Sequence, residues 1–241
     1  MPIRGRLTWR FSRASAPNAA RTTTQNSARC RDGLPATHMN LIRNPWNLVF
    51  FAGFVVYVAV RGRFARRTRA NVLTERRVDA LERTLLVVVI AGGTLPLLLY
   101  GFTPLLAFAD YTLPPAAPWL GLPIMIAALW LFHRSHADLG LNWSATLEVR
   151  QGHSLVTDGV YRTVRHPMYA SIFLFSLAQG LMLANWLAGW CAFAPFTVMY
   201  ALRVRREEAM MLSMFGEDYR NYMARTGRLV PKCGGGKAAA D

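Results

Sequence analysis

The sequence is short of acidic residues and, over long stretches, of charge altogether. Its 241 residues hold 13 Asp and Glu against 28 Lys and Arg. Between residues 84 and 133 one charged side chain occurs, Asp110, and between residues 168 and 202 none occurs across 35 positions. A soluble domain places polar side chains on its outward faces and does not leave such runs bare. The chain is therefore read as an all-α, polytopic membrane protein. Cysteine is equally scarce. Cys30, Cys191 and Cys233 are too scattered for a metal ribbon or a disulfide framework and form no Cys-x-x-Cys pair. No Gly-x-Gly turn follows a strand pattern, which removes the common soluble cofactor-binding fold. The Gly234-Gly-Gly236 run stands in a polar tail and reads as a linker.

What is abundant is arginine, and its placement is informative. The net charge of +15 does not line one face with aromatics between the cations, as a nucleic-acid surface would. The cations flank the apolar runs, where they report topology and contact with anionic headgroups. Residues 1–38 carry seven Arg, one acid and many Ser, Thr and Ala, the composition of a disordered or targeting extension without a signal-peptide core. Met39 then opens a plausible start, and the natural chain is expected to begin there.

Apolar segments follow at residues 44–60, 84–109 and 111–132. The 35-residue run at 168–202 would rise about 52 Å as one helix, far more than a bilayer core of about 30 Å needs. It must fold back, and Asn185, Trp186 and Gly189 supply the turn. The count is about five spans, the last two a helical hairpin. Three basic segments, residues 61–83, 134–165 and 203 onward, then face the cytoplasm, and the connection at Asp110 faces away. The organisation is read as an extension at 1–38, three helices and a connector at 39–150, a functional region at 151–232 and a flexible tail at 233–241.

Polar residues crowd the two ends of that hairpin. Tyr161, Arg165, His166 and Tyr169 precede it, and Arg203, Glu207 and Glu208 close it. The midpoint of His166 and Glu207 falls at the proposed turn, so antiparallel arms bring these groups to one height on the cytoplasmic side. Interfacial anchoring accounts for single Arg or Tyr residues here. It accounts poorly for paired acids, which are costly near a membrane unless something positive meets them. His133, His136 and Asp138 resemble a metal cluster, but no further ligand stands at a recognised spacing. They are read as a polar helix end, with no metal expected. Met211, Phe215, Tyr219 and Tyr222 fall on one helical face, as an amphipathic tail helix on the membrane or over the pocket would. Gly216 argues against one unbroken helix.

Gly159-Val-Tyr-x3-Arg-His-Pro-x-Tyr169, the downstream Glu207-Glu208, Phe215-Gly-Glu-Asp-Tyr219 and Pro231 together resemble the isoprenylcysteine carboxyl methyltransferase family. The wider group includes phospholipid N-methyltransferases. The resemblance implies an integral-membrane enzyme using S-adenosylmethionine. It implies that His153, Ser154, Leu155, Val156 and Tyr161 line the cofactor pocket, and that His166, Pro167, Met168 and Tyr169 hold the cofactor further. Glu207 would take the cofactor's ammonium, and Arg203 would face the substrate, with Arg203 and His166 as the catalytic pair. Spacing does not divide the cofactor's groups among His166, Tyr161 and Tyr169. The expected partners are membrane lipids and a lipophilic acceptor entering sideways from the bilayer. If the acceptor is a carboxylate, no base is needed. If it is a phospholipid amine, His166 or Glu208 must accept a proton. A non-catalytic accessory protein on the same scaffold is the third reading.

Overall fold

The computed structural model describes residues 40–68, 73–76, 80–140, 148–150 and 155–232. The expected extension at 1–38, the start at Met39 and the tail at 233–241 lie outside the described residues. A short α1 (Asn40–Arg43) leads into α2 (Pro45–Thr68), whose Pro45 sits in the first turn, where its missing N–H costs nothing. α3 (Ala80–Phe102) and α4 (Ala116–Leu139) follow, joined through a 3₁₀ turn at Ala107–Ala109. Beyond a second 3₁₀ turn at Gly159–Arg162 come α5 (Pro167–Met182), the five-residue α6 (Trp186–Trp190) and the long α7 (Phe193–Arg225). Helix dominates, as the sequence predicts. The exception is an antiparallel ribbon that the sequence does not announce, β1 (Leu73–Arg76) against β2 (Glu148–Arg150), with Leu73 opposite Arg150 and Arg76 opposite Glu148.

Among the described residues, four stretches are long and apolar enough to cross a membrane: Pro45–Arg67, Arg83–Phe102, Ala116–Leu139 and Trp186–Arg225. Between 17% and 33% of each apolar window is buried within the protein, so most of that surface looks outward. Ile90, Leu95, Trp119, Ile126 and Trp130 are all exposed, which water does not tolerate in a contiguous band and lipid does. The chain is a polytopic membrane protein. The expectation of five spans meets four helices of membrane length plus α5, whose 16 residues rise about 24 Å. Pro167 fixes the start of α5, and Asn185 caps the next helix two residues after Leu183, so α5 has no room to lengthen.

The turn falls where the sequence places it, but the hairpin is splayed. The Asn185 side chain accepts from the backbone N–H groups of Leu187 (3.1 Å) and Ala188 (2.9 Å), starting α6. Its amide donates to Leu106 O (2.6 Å) and Asp110 Oδ1 (2.7 Å). Because α6 is interposed, α5 packs chiefly along α4 and α7 chiefly along α3. Small residues Gly121, Ala128 and Ala178 let α4 and α5 approach closely. One core, including Phe50, Leu97, Met125, Phe175 and Met182, unites α2 to α5. A second, centred on Tyr169, Phe196 and Met199, ties α5 to α7 and draws in Leu86 and Val89 of α3. The two arms touch there, with Phe173 against Phe196 and Tyr200.

α7 has 33 residues, about 50 Å, more than the bilayer core takes up. Its apolar first part gives way to Arg203 and then to a charged part that must leave the hydrocarbon. Gly216, at φ 50° and ψ −119°, breaks the helix, a conformation that residues with a Cβ rarely adopt. The single continuous face predicted through Met211, Phe215, Tyr219 and Tyr222 is therefore divided. The piece after the break turns Tyr219 and Tyr222 into the protein, where they are 2% and 3% exposed.

Candidate active site

The space left by the splayed arms is a cavity of about 390 Å³ walled by α2, α3, α5, α7 and the segment leading into α5. Its upper wall is apolar, with Phe54, Leu86, Ile90, Ile172, Phe196 and Met199. Its lower wall, where α5 begins and α7 becomes charged, is polar. Nine residues singled out by the motif reading line this one cavity. Leu155, Val156 and Tyr161 come from the segment before α5. His166, Pro167, Met168 and Tyr169 form the start of α5, and Arg203 and Glu207 face them from α7. His153 and Ser154 lie outside the described residues.

The neighbouring carboxylates divide their work because adjacent helical positions point about 100° apart. Glu207 looks into the cavity and accepts a 2.7 Å hydrogen bond from the Tyr169 hydroxyl. Glu208 looks away from it and is buried. Its Oε1 accepts from Arg165 Nε and Nη2 (both 3.2 Å) and from Arg228 Nε (3.1 Å), and lies 3.4 Å from His166 Nε2. Its Oε2 is bound by Arg228 Nη2. The carboxylate bond in turn holds the Arg228 guanidinium above its ordinary pKa. With guanidinium groups on both oxygens, Glu208 is a poor proton acceptor, which corrects its inclusion as a candidate base. It is a hub that meets the cost of a buried acid with two cations, and it orients His166.

Tyr161 is 7% exposed, and its hydroxyl donates to Ser135 O (3.2 Å). Burial, and then the negative charge of Glu207, push its pKa well above the usual phenol range. It is a neutral donor at physiological pH. Tyr222 OH donates to the Tyr161 carbonyl (2.6 Å) and fixes that backbone from the far side. Asp138, from the predicted polar helix end, pairs with Arg134 (2.9 Å) and accepts from Val160 N (2.9 Å). His136 is fully buried beside Phe64 and Phe132, with Nδ1 2.8 Å from Phe132 O. Asp138, the Ser135 carbonyl and Tyr222 brace the segment before α5, and among the described residues no group of three or more His, Cys, Asp and Glu is placed to hold a metal ion.

Sequence reasoning missed three contributors. Phe54, Tyr57, Val58 and Arg61 of α2 line the cavity at spacings of three, one and three, one face of a helix. That helix is apolar almost all round, so the face carries no contrast until Arg61. Arg165 and Arg228 were not recognised as the partners of Glu208. Met210 of α7 lines the cavity and was not singled out, whereas Met211, Tyr219 and Tyr222 line it as the over-the-pocket alternative for the tail helix expects.

The fold and this cavity define a class: a polytopic membrane protein with a chamber that is largely apolar along its spans and charged where α5 begins. Residues 119–213 of the chain match the model of the isoprenylcysteine carboxyl methyltransferase (ICMT) family, a stretch that includes the Gly159–Tyr169 motif and the Glu207-Glu208 pair but not Phe215–Tyr219 or Pro231. Among curated proteins, it is similar to protein-S-isoprenylcysteine O-methyltransferases. That of Schizosaccharomyces pombe is 33% identical over 79 residues, 33% of this chain and 34% of that protein. That of Mus musculus is 37% identical over 103 residues, 39% of this chain and 34% of that protein. The B form of Arabidopsis thaliana is 28% identical over 113 residues, 46% of this chain and 57% of that protein. The matched stretches thus span about a third to just over half of these relatives' length. A solved structure described as the eukaryotic intramembrane Ras methyltransferase ICMT aligns at 24% identity and a TM-score of 0.45, over 77% of this chain and 63% of that one.

Proposed function

We propose that this protein is an integral-membrane, S-adenosylmethionine-dependent methyltransferase that esterifies the carboxylate of an isoprenylcysteine-like lipophilic acceptor. The observation that carries this reading is the cavity between α2, α3, α5 and α7. It gathers the motif residues from both arms, with carboxylate, imidazole, phenol and guanidinium groups at one end and an aliphatic and aromatic wall at the other.

The donor set suits the cofactor. Glu207, half-buried and steadied by Tyr169, offers a carboxylate to an ammonium group. Leu155, Val156 and Met168 offer an apolar slot for a purine, and the rings of Tyr161 and Tyr169 favour a nearby cation. When bound, S-adenosylmethionine supplies a methyl group already activated by its sulfonium, so the reaction needs placement more than acid–base chemistry. Arg203 orients the acceptor carboxylate, which is ionised at neutral pH and attacks without a base. His166, held by Glu208, keeps the polar end ordered. The apolar wall excludes water and takes the acceptor's lipid portion from the bilayer. The excess of Arg and Lys in the loops at this end supports a cytoplasmic orientation for it.

The test is transfer of labelled methyl groups from S-adenosylmethionine by the purified, lipid-reconstituted protein. Alkali-labile label on an N-acetyl farnesylcysteine acceptor is the expected outcome. Label on phosphatidylethanolamine alone would replace the reading with N-methylation. Label on neither, by protein that does not bind S-adenosylhomocysteine, would favour the accessory-protein reading.

A further inference from the structure

The tail that follows α7 does not touch the cavity, yet two of its hydrogen-bonding groups converge on a residue that does. Residues 226–228 run parallel to residues 163–166, with Val164 bridged to Gly227. Gly227 N donates to Thr163 O (3.2 Å), Arg165 N to Gly227 O (2.8 Å) and His166 N to Arg228 O (3.0 Å). Gly227 alone permits this path, because a Cβ there would meet the Val230 carbonyl oxygen at 1.7 Å. Arg165 Nη1 donates to the carbonyls of Met223 (3.2 Å) and Thr226, and Lys232 Nζ to those of Met223 (3.0 Å) and Ala224 (2.8 Å). Leu229 packs against the cluster of Tyr169, Phe196 and Met199, all three of which line the cavity. Arg228 therefore holds His166 twice. Its carbonyl takes the His166 backbone N–H, and its guanidinium grips both oxygens of Glu208, one of which, Oε1, also faces the His166 ring.

We infer that residues 226–232 form a strap across the start of α5, and that Arg228 is a positioning residue that sets the orientation of His166 in the cavity. The inference rests on the methyltransferase reading for its consequence in ligand binding, though not for its geometry. It reaches outside the matched family region, which ends at residue 213. Arg228 is 46% exposed, so the clasp is made at the surface, whereas the group it controls is 8% exposed.

The experiment uses the full chain in detergent and has two readouts. The first needs no ligand: the rate of His166 modification by diethylpyrocarbonate, followed by peptide mass spectrometry in wild type, Arg228→Ala, Arg228→Lys and Arg225→Ala. Arg225 is exposed and its side chain bonds only within its own helix turn in the described contacts, so it controls for loss of a nearby charge. Arg228→Ala is expected to raise His166 modification about fivefold or more at an unchanged His136 rate, with Arg228→Lys restoring part of the protection and Arg225→Ala matching wild type. Should Arg228→Ala not fold, Arg228→Lys carries the same comparison with a smaller rise. The second readout is S-adenosylhomocysteine affinity. A loss of about tenfold in Arg228→Ala that shrinks to about twofold in a His166→Ala background shows the arginine acting through the histidine. Unchanged His166 reactivity in the Arg228 variants overturns the inference whatever the ligand does. Absence of S-adenosylhomocysteine binding by wild type counts against the methyltransferase reading and leaves the reactivity result to judge the strap.

Discussion

The two ends of the splayed hairpin use the same kinds of side chain to opposite purposes. At the turn, Asn185 and Asp110 hold each other, and Tyr111 donates through N–H to Ala184 O (3.0 Å) and through its hydroxyl to Gly180 O (3.2 Å). These groups close on the chain itself and wall no part of the cavity. At the open end the same economy applies to Glu208, Arg165 and Arg228, but Glu207, Arg203, His166 and Tyr169 present their polar groups to the cavity. A polar side chain near a membrane is expensive whichever end it occupies. It persists at the turn because it builds a joint, and at the cavity, under the proposed function, because it would hold a ligand. The pair of adjacent glutamates shows the boundary between the two purposes within a single step of helix.

That contrast can be broken or sharpened by substitution. The largest effect is expected at the hub. Glu208→Ala leaves Arg165 buried without its counter-charge, and breaking a buried ion pair costs about 3 kcal/mol or more. Thermal unfolding in detergent should show a large fall in midpoint together with loss of ligand binding, and an unshifted midpoint would deny Glu208 its structural role. Asn185→Ala comes next. It removes a helix cap and two further hydrogen bonds, about 2 kcal/mol in all. The midpoint should fall while S-adenosylhomocysteine affinity stays near wild type, because the joint and the site are separate. A loss of affinity equal to that of a cavity variant would join the two ends functionally. The smallest effect is expected at Gly216. Gly216→Ala forces a Cβ into left-handed backbone at about 1 kcal/mol, with a modest loss of stability. Nothing stands within 4 Å of the added atom, so a large loss would point to a role for the break beyond geometry.

Much of this was legible from residue order. The charge-free run at 168–202 fixed the need for a reversal, and Asn185 with Gly189 marked it because a capping side chain and a small residue are what such a reversal demands. Equal arms then aligned His166 with Glu207, and the cavity contains both. The splay was not legible, since nothing in the run distinguishes a two-residue turn from one that inserts α6. The ribbon was missed because Leu73-Thr-Glu-Arg76 has no apolar alternation to betray a strand. Spacing left the division between Glu207 and Glu208 open, the resemblance gave the cofactor to Glu207, and the positions of Arg165 and Arg228 show that Glu208 is the enclosed acid. Arg228 itself follows its partner by 20 residues, across a helix break whose new direction only Gly216 hints at.

The central claim is that the open end holds a cofactor, with Glu207 as its carboxylate. Isothermal titration of S-adenosylhomocysteine into the purified wild-type protein, Glu207→Ala and Asn185→Ala tests it most directly. Wild type is expected to bind, Glu207→Ala to lose about tenfold or more in affinity at an unchanged melting midpoint, and Asn185→Ala to stay within about threefold of wild type. Folded wild-type protein that does not bind, or a Glu207→Ala variant that binds as wild type does, would contradict it.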